Sequence, residues 1–116
     1  MDEISFDDFE KVDIRIGTVT KADVPEWSHW VMRMTVDLGE EIGEKKCFSG
    51  IMKFHKPENM EGKQFPFVIN LKPRTIGPEK ELSEVMMIMA VPAEDEETPT
   101  VLLQLQEKVP NGTKVR

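Results

Sequence analysis

The chain has 116 residues, with 22 acidic and 15 basic side chains and a formal net charge of −7. This length is typical of one domain that buries about 60–70% of its unfolded surface, so we expect residues 1–116 to form a single domain. The net negative charge by itself argues against nucleic-acid binding, because it repels phosphate.

The sequence carries no sign of export or of a membrane span. Its only cysteine, Cys47, has no partner for an intrachain disulfide. The first eight residues are acidic, where a secretory signal peptide would be basic and then apolar. No apolar run approaches the roughly 20 residues that a bilayer-spanning helix needs. We therefore expect a cytoplasmic protein without a membrane partner.

The first 51 residues predict one short helix, at residues 6–11, and three strands. The first strand begins at residue 12, and the other two lie at 32–38 and 45–51. Ser5 is placed to cap the helix. In the first strand, apolar residues alternate up to Ile16 and their phase shifts after Gly17, which predicts a β-bulge or a sharp bend. A Pro-containing loop that carries Trp27 and Trp30 separates this strand from the second.

The remaining residues predict a helical segment at 56–62. Three more strands are predicted at 64–71, 84–91 and 101–105. Pro57 and Gly62 suit the first helical position and the C-terminal cap of the short helix. Pro66, which lacks a backbone donor, predicts an edge or bulge position for the strand that contains it. Residues 72–80 predict a loop, because proline and glycine interrupt any regular element there.

These elements predict an all-β fold. Five or six short strands, a short helix between the third and the fourth, and a bend in the first are typical of a five-stranded Greek-key barrel of the OB (oligonucleotide/oligosaccharide-binding) type. An SH3-like barrel also fits the strand count. The residues before the first strand and after the last would form terminal extensions.

Positive charge is concentrated in one third of the chain. Residues 45–80 carry 8 basic and 3 acidic side chains, whereas residues 1–44 have a net charge of −8 and residues 81–116 a net charge of −4. The basic residues are Lys45, Lys46, Lys53, Lys56, Lys63, Lys72, Arg74 and Lys80. Such segregation predicts a positive patch on an acidic protein. The alternative is that strand pairing places these lysines among acidic neighbours.

No catalytic constellation is recognisable in the sequence. His29 and His55 are far apart, Cys47 has no C-x-x-C partner, and the acidic run 94–97 lies in a predicted loop. Glycine-rich nucleotide-binding motifs are absent. We therefore predict a protein that is not an enzyme and that needs neither a cofactor nor a metal ion.

Two kinds of binding module remain open. Small barrels bind RNA by combining a basic track for phosphates with side chains that stack on bases. The candidates for a base-contacting surface are Phe48, Phe54, His55, Asn70 and Met86. Alternatively, the methionines of strands 32–38 and 84–91 line an adaptable groove for apolar peptide segments. The phenylalanines and methionines of both sets also suit packing in the core or in a dimer.

Several stretches in combination resemble one family. They are F-D-D-F-E-K-V-D-I-R-I-G-T-V (6–19), V-D-L-G (36–39), K-P-E (56–58), G-K-Q (62–64) and N-L-K-P-R (70–74). They resemble the tRNA-binding domain that occurs at the C-terminus of methionyl-tRNA synthetases and as free-standing proteins. Gly43, the triplet 83–85 and the ending 109–115 are most similar to the branch that contains the secretion chaperone CsaA.

The resemblance implies an OB-fold whose terminal extensions build a homodimer, and binding of structured tRNA without strict sequence choice. The matching positions are Arg15, Ser49, Asn70, Lys72, Arg74, Ser83 and Met86, and Lys53 of the basic segment completes our set of candidate RNA-binding residues. Further partners that the resemblance suggests are an aminoacyl-tRNA synthetase and, for a chaperone, unfolded or export-bound polypeptides.

Two departures from the family pattern keep the chaperone alternative open. Many tRNA-binding members have Ser-x-Gly-Met where this chain has Ser-Glu-Val-Met at residues 83–86. A lysine that is common just before the second strand is replaced by Trp30. The added carboxylate and the lost cation both disfavour phosphate.

Overall fold

In a computed structural model that describes all of residues 1–116, an antiparallel sheet curls into a nearly closed barrel. The elements in chain order are α1 (Phe6–Glu10), β1 (Ile14–Asp23), β2 (Met32–Asp37), β3 (Glu44–Ser49), a 3-10 helix (Pro57–Asn59), β4 (Gln64–Val68), β5 (Arg74–Ile76), β6 (Glu81–Ser83), β7 (Met86–Met87), β8 (Met89–Ala90), β9 (Val101–Leu102) and β10 (Lys114–Val115). Neither helix is long and apolar enough to span a membrane.

The strand order confirms the predicted all-β barrel of the OB type. The main sheet runs β3-β2-β1-β4-β7, and β10 adds to the start of β1. The remaining gap lies between β3 and β7. It is bridged by the segment that leads into β7, because the backbone N–H groups of Glu84 and Val85 donate to the Lys46 carbonyl at 2.8 and 3.3 Å.

Strand β1 serves two sides of the barrel, as the predicted bend requires. Residues 14–18 pair with β4, and residues 18–23 pair with β2. The bulge lies at Thr20, where the register with β2 shifts, and not at Gly17. Gly17 is needed for close packing instead, since a Cβ there would lie 2.5 Å from Cγ1 of Val36.

Pro66 does not lie at an edge or a bulge, contrary to the prediction. Strand β4 lies between β1 and β7, and Pro66 is buried opposite Ile16. The Pro66 carbonyl accepts the N–H of Ile88 at 3.0 Å, so the backbone polar groups of Pro66 face the β7 side of β4. Because β7 ends at Met87, no β7 residue lies opposite Pro66 to accept a backbone N–H, and the N–H that proline lacks is not needed at this position.

The region after β4 is more divided than predicted. Residues 72–80, predicted to be a loop, contain β5 and the turn of a hairpin formed by β5 and β6. The predicted strand 84–91 is two strands: β7 stays in the barrel beside β4, whereas β8 leaves it and pairs with β9. The change of partner occurs at Ile88, whose N–H is bound by Pro66.

Half of the eight methionines lie in the core. Core members Met32, Met34, Met60 and Met87 pack with Phe65, Phe67 and six smaller residues. Met86 points outward beside them, with 49% of its surface exposed. The core interpretation is therefore correct for most of the strand methionines, and the predicted methionine groove loses most of its lining.

Candidate nucleic-acid interface

Four of the eight predicted RNA-binding residues line one small pocket. They are Lys72, Arg74, Ser83 and Met86. The pocket has a volume of about 170 Å³, and its other walls are Phe48, Leu71, Glu84 and Val85. We call it the hairpin pocket, because the β5–β6 hairpin forms one side of it. Sites for drug-sized ligands are usually about 300–1,000 Å³, so this pocket suits only one small group of a larger ligand.

The hairpin determines where Arg74 and Ser83 lie. These two residues are directly opposite each other in the β5–β6 pairing. Ser83 is buried, and its Oγ accepts the backbone N–H of Phe48 at 3.2 Å, which attaches the hairpin to β3. Arg74 and the preceding Lys72 are exposed and take part in none of the salt bridges of the structure. Their charges are therefore available to a ligand.

The pocket also offers apolar surface. Leu71 and Met86 are 48% and 49% exposed, and Phe48 is buried behind them. Exposed apolar groups flanked by two cations suit a nucleic-acid base whose neighbouring phosphates are held by the cations. They equally suit an apolar side chain of a peptide, so the surface chemistry alone fits both predicted modules.

Glu84 brings a carboxylate into the wall of the pocket. Its Oε1 accepts the backbone N–H of Lys46 at 3.0 Å, and its Oε2 lies 3.8 Å from Nζ of Lys45. This carboxylate therefore helps to close the barrel against β3. Because Lys45 offsets part of its charge, Glu84 disfavours phosphate less than the sequence alone suggests.

Arg15 and Asn70 do not join the pocket and have structural partners instead. Nε of Arg15 donates to Asp13 at 2.7 Å, a hydrogen bond that raises the pKa of Arg15, and Nη1 donates to the Gly112 carbonyl. The Asn70 side chain accepts the N–H of Asp13 and donates to the Lys11 carbonyl. Both residues fasten the terminal extensions to the barrel.

Lys53 and two of the base-contacting candidates lie on another part of the surface. Nζ of Lys53 donates to the Glu96 carbonyl at 2.8 Å and lies 5.6 Å from the Phe54 ring centroid. Nε2 of His55 is 3.0 Å from the Thr100 carbonyl. These contacts hold the loop between β8 and β9 over a cavity of about 630 Å³. The surroundings are acidic and do not suit phosphate.

The basic segment 45–80 is therefore dispersed rather than gathered on one surface. Lys53 lies at the cavity described above, and Lys63 lies beside another pocket together with Glu107 and Lys108, whereas Lys45 lies next to Glu84 in the wall of the hairpin pocket. Ser49 ends β3 opposite Met32 and lines none of the pockets. The predicted interspersion of lysines with acidic neighbours applies to part of the segment. The hairpin pocket holds two cations that make no salt bridge, Lys72 and Arg74, and Lys45 lies beside its wall.

Sequence reasoning overlooked some walls of the pocket. The sequence predicts Leu71 as the last residue of a strand, but β4 ends at Val68 and leaves Leu71 exposed. The available signals are Asn70, which interrupts the apolar run, and the proline that follows at residue 73. Glu84 was noted only as a departure from a motif, since its contact with β3 joins residues 38 positions apart.

The cysteine does not provide a reactive group. Cys47 is fully buried, and burial raises the pKa of its thiol to about 11. A thiol with this pKa is protonated near neutral pH and is a poor nucleophile. No group of three or more His, Cys, Asp or Glu side chains is arranged to hold a metal ion.

Comparisons with known proteins agree with the fold. A family model described as "Putative tRNA binding domain" matches residues 14–114. The structure is similar to chaperone CsaA from Bacillus anthracis str. Ames, with a TM-score of 0.85 and 35% identity over 99% of this chain and 100% of that one. It is also similar to a MetRS related protein from Pyrococcus horikoshii, with a TM-score of 0.86 and 33% identity over the full length of both chains.

Longer relatives contain the same domain as one part. A methionine–tRNA ligase from Clostridium tetani is 34% identical over 115 residues, which are 99% of this chain and 17% of the ligase. The chain thus spans about a sixth of the length of the curated relatives it matches. A family match that covers nearly the whole barrel, together with full-length structural similarity, leads to one conclusion: the chain belongs to the tRNA-binding domain family.

Proposed function

We propose that this protein is a non-catalytic RNA-binding protein that holds structured tRNA at the hairpin pocket. The observation that carries the proposal is the convergence of Lys72, Arg74, Ser83 and Met86 on one pocket. Lys72 and Arg74 supply charge for phosphates, and Leu71 and Met86 supply a surface on which one base can lie. Most of the affinity then comes from the RNA backbone, which carries no sequence information.

The salt dependence of binding tests this proposal. Two phosphate contacts are expected to give a fall in tRNA affinity of roughly tenfold between about 50 and 200 mM salt, because each contact releases counterions. The measurement is a titration of labelled tRNA with the protein, followed by fluorescence anisotropy at several salt concentrations. Affinity that does not change with salt would contradict the proposal.

A chaperone is the second candidate function. The similarity to the chaperone CsaA favours it, as do the exposed side chains of Leu71 and Met86 beside the pocket. In that case the same pocket holds an apolar side chain of an unfolded or export-bound polypeptide. Burial of apolar surface is nearly indifferent to moderate salt, so the titration described above separates the two functions when an apolar peptide replaces tRNA.

We also propose that the protein forms a homodimer through its C-terminal segment. Val101, Leu103 and Val115 are exposed apolar residues in this segment. A groove of about 450 Å³ runs between the segment and the barrel, where it reaches Ile16 and Pro66. A second copy that covers this apolar surface would remove it from water.

A methionyl-tRNA synthetase is a further proposed partner, because ligases of this kind carry a similar domain.

The dimer is tested by light scattering. We expect a mass of twice the 13.3 kDa of the chain, and a mass near 13.3 kDa for Leu103→Asp, because an aspartate cannot be buried at an apolar contact without a partner. Leu82→Asp is the matched control, since Leu82 is similarly exposed but lies on the β5–β6 hairpin. A parent protein that stays at 13.3 kDa at every concentration would end the proposal.

A further inference from the structure

The tip of the β5–β6 hairpin rests on a tryptophan outside the pocket. Gly77 in the hairpin turn has a φ of +77°, and a Cβ there would lie 2.5–2.7 Å from Cζ2, Cε2 and Cη2 of Trp27. The indole ring therefore contacts the backbone of the turn directly, and no larger residue than glycine fits between them. Trp27 belongs to the loop that joins β1 and β2.

The body of the hairpin is fastened by an arginine on β2. Nη1 of Arg33 donates to Oε2 of Glu81 on β6 at 2.8 Å, while Nε of Arg33 donates to Oδ1 of Asp23 on β1 at 3.0 Å. The hydrogen bond from Arg33 lowers the pKa of Asp23, so this carboxylate stays charged near neutral pH. Arg33 thus connects the barrel to the hairpin through Glu81, while Asp23 on the neighbouring barrel strand holds the guanidinium in place.

These two attachments matter because the hairpin is too short to hold its own position. Strands β5 and β6 have three residues each, and an isolated two-stranded hairpin is at best marginally stable in water. At its base the hairpin is held by the hydrogen bond between Ser83 and the Phe48 N–H. Arg74 lies opposite Ser83 but on β5, the strand of the hairpin that this hydrogen bond does not reach.

We propose that Trp27 and Arg33 are positioning residues for RNA binding: neither lines the hairpin pocket, but together they hold the β5–β6 hairpin so that Arg74 meets the ligand in a fixed place. This inference rests on the proposed function of the pocket. If the hairpin were mobile, binding would have to order it, and the entropic cost would reduce the affinity gained from Arg74. Arg74 therefore contributes fully only while the hairpin is held in place.

Trp30 provides the matched control within the same loop. It is 60% exposed, and its ring approaches Gly50 at the end of β3 rather than the hairpin. Truncation of Trp30 removes an indole of the same size from the same loop. It leaves both attachments of the hairpin in place.

A double-mutant cycle tests the inference. The dissociation constant for labelled tRNA is measured at low salt for the parent, Trp27→Ala, Arg74→Gln and the double variant, and the cycle is repeated with Trp30→Ala. We expect Arg74→Gln to weaken binding about tenfold in the parent and in the Trp30→Ala background, but less than about twofold in the Trp27→Ala background, because contacts that act as a unit are not additive.

Each outcome has one meaning. If Arg74→Gln costs the same factor with and without Trp27, then Trp27 merely stabilises the fold, and the inference is overturned while the proposed function stands. If Arg74→Gln has no effect in the parent, the pocket is not the RNA site, and both are overturned. Should Trp27→Ala fail to fold, Glu81→Ala replaces it, since this variant removes the carboxylate that accepts the hydrogen bond from Arg33, and the same loss of coupling is expected.

Discussion

Lys72→Glu/Arg74→Glu is expected to weaken tRNA binding by at least about a hundredfold at low salt. A hydrogen bond to a charged group contributes about 1.5–3 kcal/mol, and each 1.4 kcal/mol is a factor of ten in affinity. Two such contacts would be lost and replaced by repulsion between carboxylate and phosphate. The salt slope of the residual binding should also fall by about two, because each phosphate contact contributes about one.

A matched charge reversal distinguishes this effect from the general change in net charge. Lys63→Glu/Lys108→Glu makes the same change of charge beside a different pocket, which is lined by residues 62–64, 104, 105, 107 and 108. We expect this control to lower the affinity severalfold at most, through long-range repulsion that salt screens. Equal losses for the two double variants would mean that the hairpin pocket has no special part in binding.

Met87→Ala is expected to lower the free energy of unfolding by about 2–5 kcal/mol, because truncation of a buried methionine removes apolar contacts and leaves a cavity. Met87 is 4% exposed and belongs to the core cluster. A loss of this size is a large part of the roughly 5–15 kcal/mol that a domain of this kind has in total. It should appear as a fall in the melting temperature of at least about 8 °C by differential scanning calorimetry.

The preceding residue is the control for this stability effect. Met86 is 49% exposed, so Met86→Ala should change stability by no more than about 0.5 kcal/mol. Because Met86 lines the hairpin pocket, the same variant should weaken ligand binding by about fivefold, a loss that corresponds to the lower end of the range for one base contact. A destabilised Met86→Ala, or a Met87→Ala as stable as the parent, would mean that the two residues have been assigned to the wrong faces of β7.

Local features of the fold could be predicted from the sequence because they depend on neighbouring residues. Ser5 was predicted to cap α1, and its Oγ accepts the N–H of Asp8 at 3.1 Å. The alternation along 32–38 predicted β2, whose burial alternates in the same way. The bend in β1 was predicted near Gly17, although only the pairing with β2 shows that the bulge lies at Thr20.

Half of the residues predicted for the candidate site line the hairpin pocket. Lys72, Arg74, Ser83 and Met86 come from within 15 residues of one another, and a hairpin brings them together. Three other candidates fit the predicted site by residue type or charge, but their side chains bind distant or neighbouring groups instead. Arg15 donates to Asp13, Asn70 to the Lys11 carbonyl and Lys53 to the Glu96 carbonyl. A charge count along the chain cannot reveal such distant partners.

The class of fold, the family resemblance and four of the residues that line the hairpin pocket, Lys72, Arg74, Ser83 and Met86, follow from the sequence alone. These rest on patterns of period two and on residues close together in the chain. Three further features require the folded chain: Pro66 lies in a central strand, the basic segment is dispersed, and Trp27 and Arg33 contact the hairpin. The physical reason is that these features depend on which strands and loops meet across the barrel, and contacts between residues tens of positions apart leave no local pattern in a single sequence.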